Sequence, residues 1–200
     1  MLEKTEWCSF RWEHANKHDK PRVMLVGDSI TAGYFPYVAS IVEDQAYASL
    51  LATSKAVDNP DLIHEMAYAF RHGNSSYEVI HFNNGLHGWH VSQEVYANKL
   101  EEAVIWLKEH APAAKIILAL STSVWVKGQP AAPDQEKDRI IRFRNESVLH
   151  IAQRYQCEVN DLYTAMNGRP EYRTDDGYHF HEIGKREQGK IVAAVILAKL

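Results

Sequence analysis

Residues 22–31 read RVMLVGDSIT, a short apolar run that passes straight into a Gly-Asp-Ser turn. The run Arg22–Val26 is aliphatic without a polar alternation, as a strand buried on both faces must be. A helical stretch is expected directly after Gly27-Asp28-Ser29-Ile30-Thr31. Four more short runs follow, most of them rich in Val, Ile or Leu: Ala46–Ala52, Tyr77–Phe82, Lys115–Leu120 and Cys157–Leu162. Between and after them lie segments of helical periodicity. Asp58–His72 opens on Asp-Asn-Pro and closes at Gly73, and Ser92–His110 starts at Ser-Gln-Glu and stops before Pro112. Pro133–Gln156 and His181–Leu200 complete the set. Strands that alternate with helices in this way build a parallel sheet covered on both faces. Ligands of such sheets bind beyond the carboxyl ends of the strands.

The 200 residues suit a single domain spanning 1–200, with residues 1–20 as an N-terminal extension packing on it. A net charge of -4 and the lack of any basic stripe argue against a nucleic-acid partner. No run approaches the roughly 20 apolar residues that cross a bilayer, and the polar N-terminus has no signal-like apolar core. A cytoplasmic location and no membrane partner are therefore expected. Cys8 and Cys157 are isolated in sequence, outside any C-x-x-C pattern, which leaves two thiols or one disulfide.

A serine at the tip of a strand-to-helix turn holds its hydroxyl over the sheet edge, near the positive end of the helix dipole. Ser and Asp also cap helices, so Ser29 alone has two readings. The second motif is DDGYHFH, residues 175–181, immediately before the last helix. Asp176 and His179 stand three apart in a loop, where a turn brings carboxylate and imidazole together. A hydroxyl needs a base to become a nucleophile, and imidazole is such a base near neutral pH. A carboxylate on one ring nitrogen leaves the other as the proton acceptor.

Together these blocks resemble those of the SGNH/GDSL hydrolases: VMLVGDSITAGY is similar to their nucleophile block and DDGYHF-HEIG to their last block. The resemblance runs from about Arg22 to the end. It implies a flavodoxin-like three-layer α/β/α sandwich with a five-stranded parallel sheet, and hydrolysis of esters or thioesters through an acyl-enzyme. It assigns Ser29 as nucleophile, His179 as base and Asp176 as its orienting group. The middle blocks depart from the family pattern. Where G-x-N-D is usual, this chain has Gly85-Leu86-His87-Gly88, so His87 takes the place of the asparagine that binds the oxyanion, with Asn84 as the competing donor. No glycine follows the second strand, so the backbone N–H of Ser54 or Lys55 is the expected substitute, beside that of Ser29. An alternative alignment makes Gly88 the second-block glycine. A variant subfamily with N-x-G-L-H in the third block is the reading that keeps the block order.

Two other classes of function compete. The chain has 11 histidines, and His87, His90, His179 and His181 invite a metal-dependent hydrolase, although their spacing matches no motif such as H-E-x-x-H. A catalytically inactive carbohydrate-binding relative would explain the altered middle blocks but not three retained triad residues. The expectation is an esterase without cofactor or metal, acting on a small-molecule or carbohydrate ester, O-acetyl groups foremost. Tyr34, Phe35, Tyr37, Trp89, Trp125 and Tyr178 are candidates to border the site, and Trp7 and Trp12 could fold back over it. The oligomeric state is not legible.

Overall fold

The computed structural model describes residues 4–72 and 76–200; the helix stop read at Gly73 lies outside them. In chain order the elements are β1 (Cys8–Trp12), β2 (Arg22–Gly27), α1 (Ser29–Val42), β3 (Tyr47–Thr53), α2 (Asp61–Arg71) and β4 (Tyr77–Phe82). There follow α3 (Gln93–His110), β5 (Lys115–Ala119), β6 (Trp125–Val126), β7 (Gln129–Pro133), α4 (Gln135–Tyr155) and β8 (Glu158–Asn160). The chain closes with α5 (Leu162–Met166), a single 3-10 turn over Pro170–Tyr172, and α6 (Glu182–Leu197).

The main sheet is ordered β1-β3-β2-β4-β5-β8. Its five inner and far strands are mutually parallel, in the doubly wound order expected of alternating strands and helices. The sheet has six strands rather than five. The sixth, β1, comes from the segment read only as an extension and pairs antiparallel with β3, Cys8 facing Thr53 and Trp12 facing Ser49. Its exposure alternates, whereas β2 and β3 are buried throughout, so β1 lacked the continuous apolar signal of the others. Arg22 holds the connection to β2 by donating to the carbonyls of Glu13, His14 and Lys17.

Side chains alternate across the sheet with period two and divide the core. Val23 and Leu25 face Tyr34, Phe35 and Val38 of α1 and Val192 and Ile196 of α6. Met24 and Val26 face Leu62 and Met66 of α2, Leu100 and Val104 of α3, and Val148 and Ile151 of α4. Three layers result. The second sheet, the hairpin β6–β7, was not legible because Gln129–Pro133 carries two prolines and little apolar surface. Among the described residues no helix is long and apolar enough to cross a membrane.

Candidate active site

Strand β2 ends at Gly27, Asp28 caps α1, and Ser29 is the first helical residue. The cap is a side-chain bond: Asp28 Oδ1 accepts from the Ile30 N–H at 2.8 Å. A Cβ on Gly27 would sit 2.1 Å from Thr31 Oγ1, so only glycine lets the strand turn this sharply into the helix. As the N1 residue, Ser29 has a backbone N–H with no intrahelical acceptor. Among the described residues, the buried Asp28 Oδ2 meets no hydrogen-bond partner. Burial pushes this carboxyl above its ordinary range, while His87, the N–H groups of Ile30 and Thr31, and His179 pull the other way.

The 174–181 loop brings its partner groups to the same place. His179 Nε2 lies 2.7 Å from Ser29 Oγ, across 150 residues of sequence, and His179 Nδ1 lies 2.6 Å from Asp176 Oδ2. The other carboxylate oxygen, Oδ1, accepts the N–H of Tyr178 at 2.8 Å, the N–H of His179 at 2.9 Å and the Thr174 hydroxyl at 3.0 Å. Burial opposes the charge on Asp176, but these donors outweigh it and hold the carboxyl well below the usual range. An ionised Asp176 selects the tautomer with hydrogen on Nδ1, leaving Nε2 to accept from the serine.

The hairpin supplies the support under this loop. The Trp125 N–H donates to the Gly177 carbonyl, the Gly128 N–H to that of Asp175, and the Trp125 indole to that of Thr174. Gly177 has φ +93, and a Cβ there would meet the Trp125 carbonyl at 2.7 Å. Trp125 is therefore a buried support and not a wall of the site. Tyr34 and Phe35 are likewise core residues under α1, and Tyr37 donates to Glu182 of α6. Trp89 and Tyr178 do face each other beside the triad, ring centres 6.2 Å apart, with the Lys137 ammonium 5.0 Å over the Tyr178 ring. Trp7 reaches the opposite side and meets the His87 ring edge-on at 6.3 Å, whereas Trp12 stacks on His72 away from it.

The second expected oxyanion amide needs correction. The Ser54 N–H donates to the Trp7 carbonyl at 3.1 Å, because the β1–β3 pairing continues past Thr53. The Ser54 hydroxyl donates to Glu6 and accepts from the Trp7 N–H. The Lys55 N–H is taken by Thr53 Oγ1 at 3.1 Å. Asn84 spends one amide hydrogen on the Lys55 carbonyl at 2.7 Å, and so joins the two loops. Gly88, at φ +68, packs so close to Ala56 that a Cβ would lie 2.6 Å from that methyl.

His90 pairs with Asp58 at 3.0 Å, and His181 stands exposed at the start of α6. Among the described residues no three His, Cys, Asp or Glu side chains gather as metal ligands. Both cysteines are free thiols. Sequence reasoning missed Arg144, fully buried on α4. The signal was available, since Ile141, Arg144, Val148 and Ile151 share the inward stripe of that helix.

The mostly parallel central sheet flanked by helices on both faces matches the GDSL hydrolase fold. No family model matches the sequence, and no curated protein matches it. Solved structures do match in fold. A lipase/acylhydrolase from Enterococcus faecalis superposes with a TM-score of 0.69 at 19% identity, over 90% of this chain and 97% of that one. A GDSL-like lipase from Parabacteroides merdae gives 0.66 at 15% identity, over 86% and 93%. An acetyl xylan esterase gives 0.65 at 16% identity, over 88% and 99%.

Proposed function

We propose that this protein is a serine esterase of the SGNH/GDSL type, which removes small acyl groups from alcohols through an acyl-enzyme. The observation that carries the reading is the continuous relay Ser29 Oγ–His179 Nε2 and His179 Nδ1–Asp176, at 2.7 and 2.6 Å, at the carboxyl end of the central strand β2. His179 takes the serine proton as Oγ attacks the ester carbonyl. The Ser29 N–H and the His87 ring stabilise the oxyanion. The tetrahedral intermediate collapses, His179 protonates the leaving alcohol, and water repeats both steps on the acyl group. A ring nitrogen of His87 is a chemically adequate donor in place of an asparagine amide, and losing such a donor typically slows turnover by about 100- to 1,000-fold.

The half-exposed His179–Asp176 pair and the aromatic rings of Trp89, Tyr178 and Trp7 favour a short acyl group, with acetyl first, on an alcohol as large as a sugar. The acetyl xylan esterase among the similar folds supports that choice. The test is intact mass after exposure to a serine-directed fluorophosphonate, for wild type and Ser29→Ala in parallel, followed by release of acetate from acetylated sugars. One adduct on the wild type alone, with turnover lost in Ser29→Ala and His179→Ala, is the expected result. An unlabelled wild type that still binds acetylated sugars would replace the enzyme with a carbohydrate-binding protein.

A further inference from the structure

The loop that carries His87, residues 83–90, has no secondary structure of its own, yet four of its carbonyls are held by side chains from the two helices behind it. Arg144 Nη1 donates to the carbonyls of Gly85 at 2.8 Å and His87 at 2.7 Å, and its Nη2 to that of Gly88 at 2.6 Å. Tyr96 of α3 donates its hydroxyl to the Asn84 carbonyl at 2.7 Å. The guanidinium also lies over the rings of Tyr96, at 4.8 Å, and Trp89, at 5.4 Å. Arg144 is 1% exposed, and burial pulls its pKa below the usual value. A desolvated cation is costly unless its donors are used, so its placement among loop carbonyls is the arrangement that compensates it.

We infer that Arg144 is a positioning residue for ester hydrolysis, fixing the loop that presents His87 and Trp89 to Ser29. The inference rests on the esterase reading above. A planar fork that bonds three carbonyls sets their mutual orientation, which a flexible ammonium cannot do. In trans peptides each N–H points opposite its carbonyl, so the N–H groups of Leu86, Gly88 and Trp89 are turned away from the guanidinium. The same residue braces Trp89, whose ring centre lies 6.2 Å from that of Tyr178. Arg144 therefore ties the oxyanion side of the site to one wall of the substrate cleft without touching substrate.

The test uses Arg144→Lys, Tyr96→Phe, His87→Ala and the Arg144→Lys/His87→Ala double variant, with near-UV circular dichroism to confirm folding. Displacing the loop by about 1 Å is expected to lower kcat about 100-fold in Arg144→Lys, with KM within about threefold. Tyr96→Phe, which loses one of the four anchors and keeps its ring, should lower kcat several-fold in the same pattern. If Arg144 acts through the loop, the double variant is no more than about threefold slower than His87→Ala. Wild-type kcat in both Arg144→Lys and Tyr96→Phe, or losses that multiply in the double variant, would overturn the inference. Should Arg144→Lys not fold, Tyr96→Phe decides alone. A wild type that neither labels at Ser29 nor turns over esters refutes the esterase reading instead. The His87 imidazole NMR signal then reads the loop: a shifted or broadened signal in Tyr96→Phe supports the anchoring, and an unchanged one overturns it.

Discussion

Asp176 performs two tasks with its two oxygens, and two substitutions separate them. Oδ2 faces His179 Nδ1 at 2.6 Å, while Oδ1 closes the turn by accepting from Tyr178, His179 and Thr174. In Asp176→Asn the amide oxygen can keep the turn, but the NH2 group is left facing Nδ1. The ring then carries its hydrogen on Nε2, donates to Ser29 and can no longer accept its proton. A loss of about 10,000-fold in kcat is expected, as in serine proteases with this change. Asp176→Ala leaves the ring free to choose either tautomer, so its loss should be the smaller of the two. Stability runs in the opposite order. Alanine removes three turn bonds, each worth about 1 kcal/mol when protected. The Asp176 side chain is 46% exposed, so about 1–2 kcal/mol in total is the appropriate scale. That corresponds to a Tm lower by roughly 3–6 °C, against almost no change for asparagine. Acetate release and thermal unfolding on the two variants measure both orders. Faster turnover in Asp176→Asn than in Asp176→Ala, or equal losses of Tm, would refute the assignment of one oxygen to the turn and one to the base.

Three further expectations follow from the same geometry. His81 lies wholly inside β4 with Nε2 3.0 Å from Asn160 Oδ1, and burial pulls it down from 6.5 to about 4. The folded protein keeps this ring neutral while the unfolded chain takes up a proton, so its contribution is present above pH 6.5 and is lost towards pH 4. Urea unfolding of wild type should therefore lose about 2 kcal/mol more than His81→Gln between pH 7 and pH 5, and equal losses would remove His81 from the acid lability. Trp7→Ala takes away the ring beside His87 but not the main-chain bonds to Ser54, so kcat/KM should fall about tenfold with the fold intact; unchanged kinetics would exclude the N-terminal segment from the site. Gly88→Ala adds a methyl at φ +68 against Ala56, which should lower Tm by roughly 5 °C and slow turnover together. A Tm equal to wild type would show that the loop yields without strain.

The five parallel strands and their helices were legible because buried runs such as Arg22–Val26 and Tyr77–Phe82 and the helical periodicity of segments such as Ser92–His110 are local signals. Strand β1 was not, since an edge strand with alternating exposure in a polar segment is stabilised by the partner it meets and not by its own composition. The hairpin β6–β7 escaped for the same reason, and with it the support of the 174–179 loop. The six aromatic residues proposed near the site divided on burial: Tyr34, Phe35 and Trp125 went to the interior, which composition cannot distinguish from a cleft.

That Ser29, His179 and Asp176 would meet was readable, because a strand-to-helix turn and a D-x-x-H loop are short patterns that each place one polar group at a strand end. The amide expected at Ser54 failed because hydrogen-bond donors are committed by neighbours in space, here Trp7, that lie 47 positions away in sequence. Arg144 and its carbonyls are separated by 56 to 59 positions. What the amino-acid order determined by itself was therefore the alternation of elements, the turn at Ser29 and the Asp176–His179 loop, each encoded within a few residues. Which donors remain for an oxyanion, what holds the His87 loop and where the N-terminal segment lies were decided only by tertiary structure. Each depends on satisfying a buried polar group with a distant partner, and no local pattern records that partner.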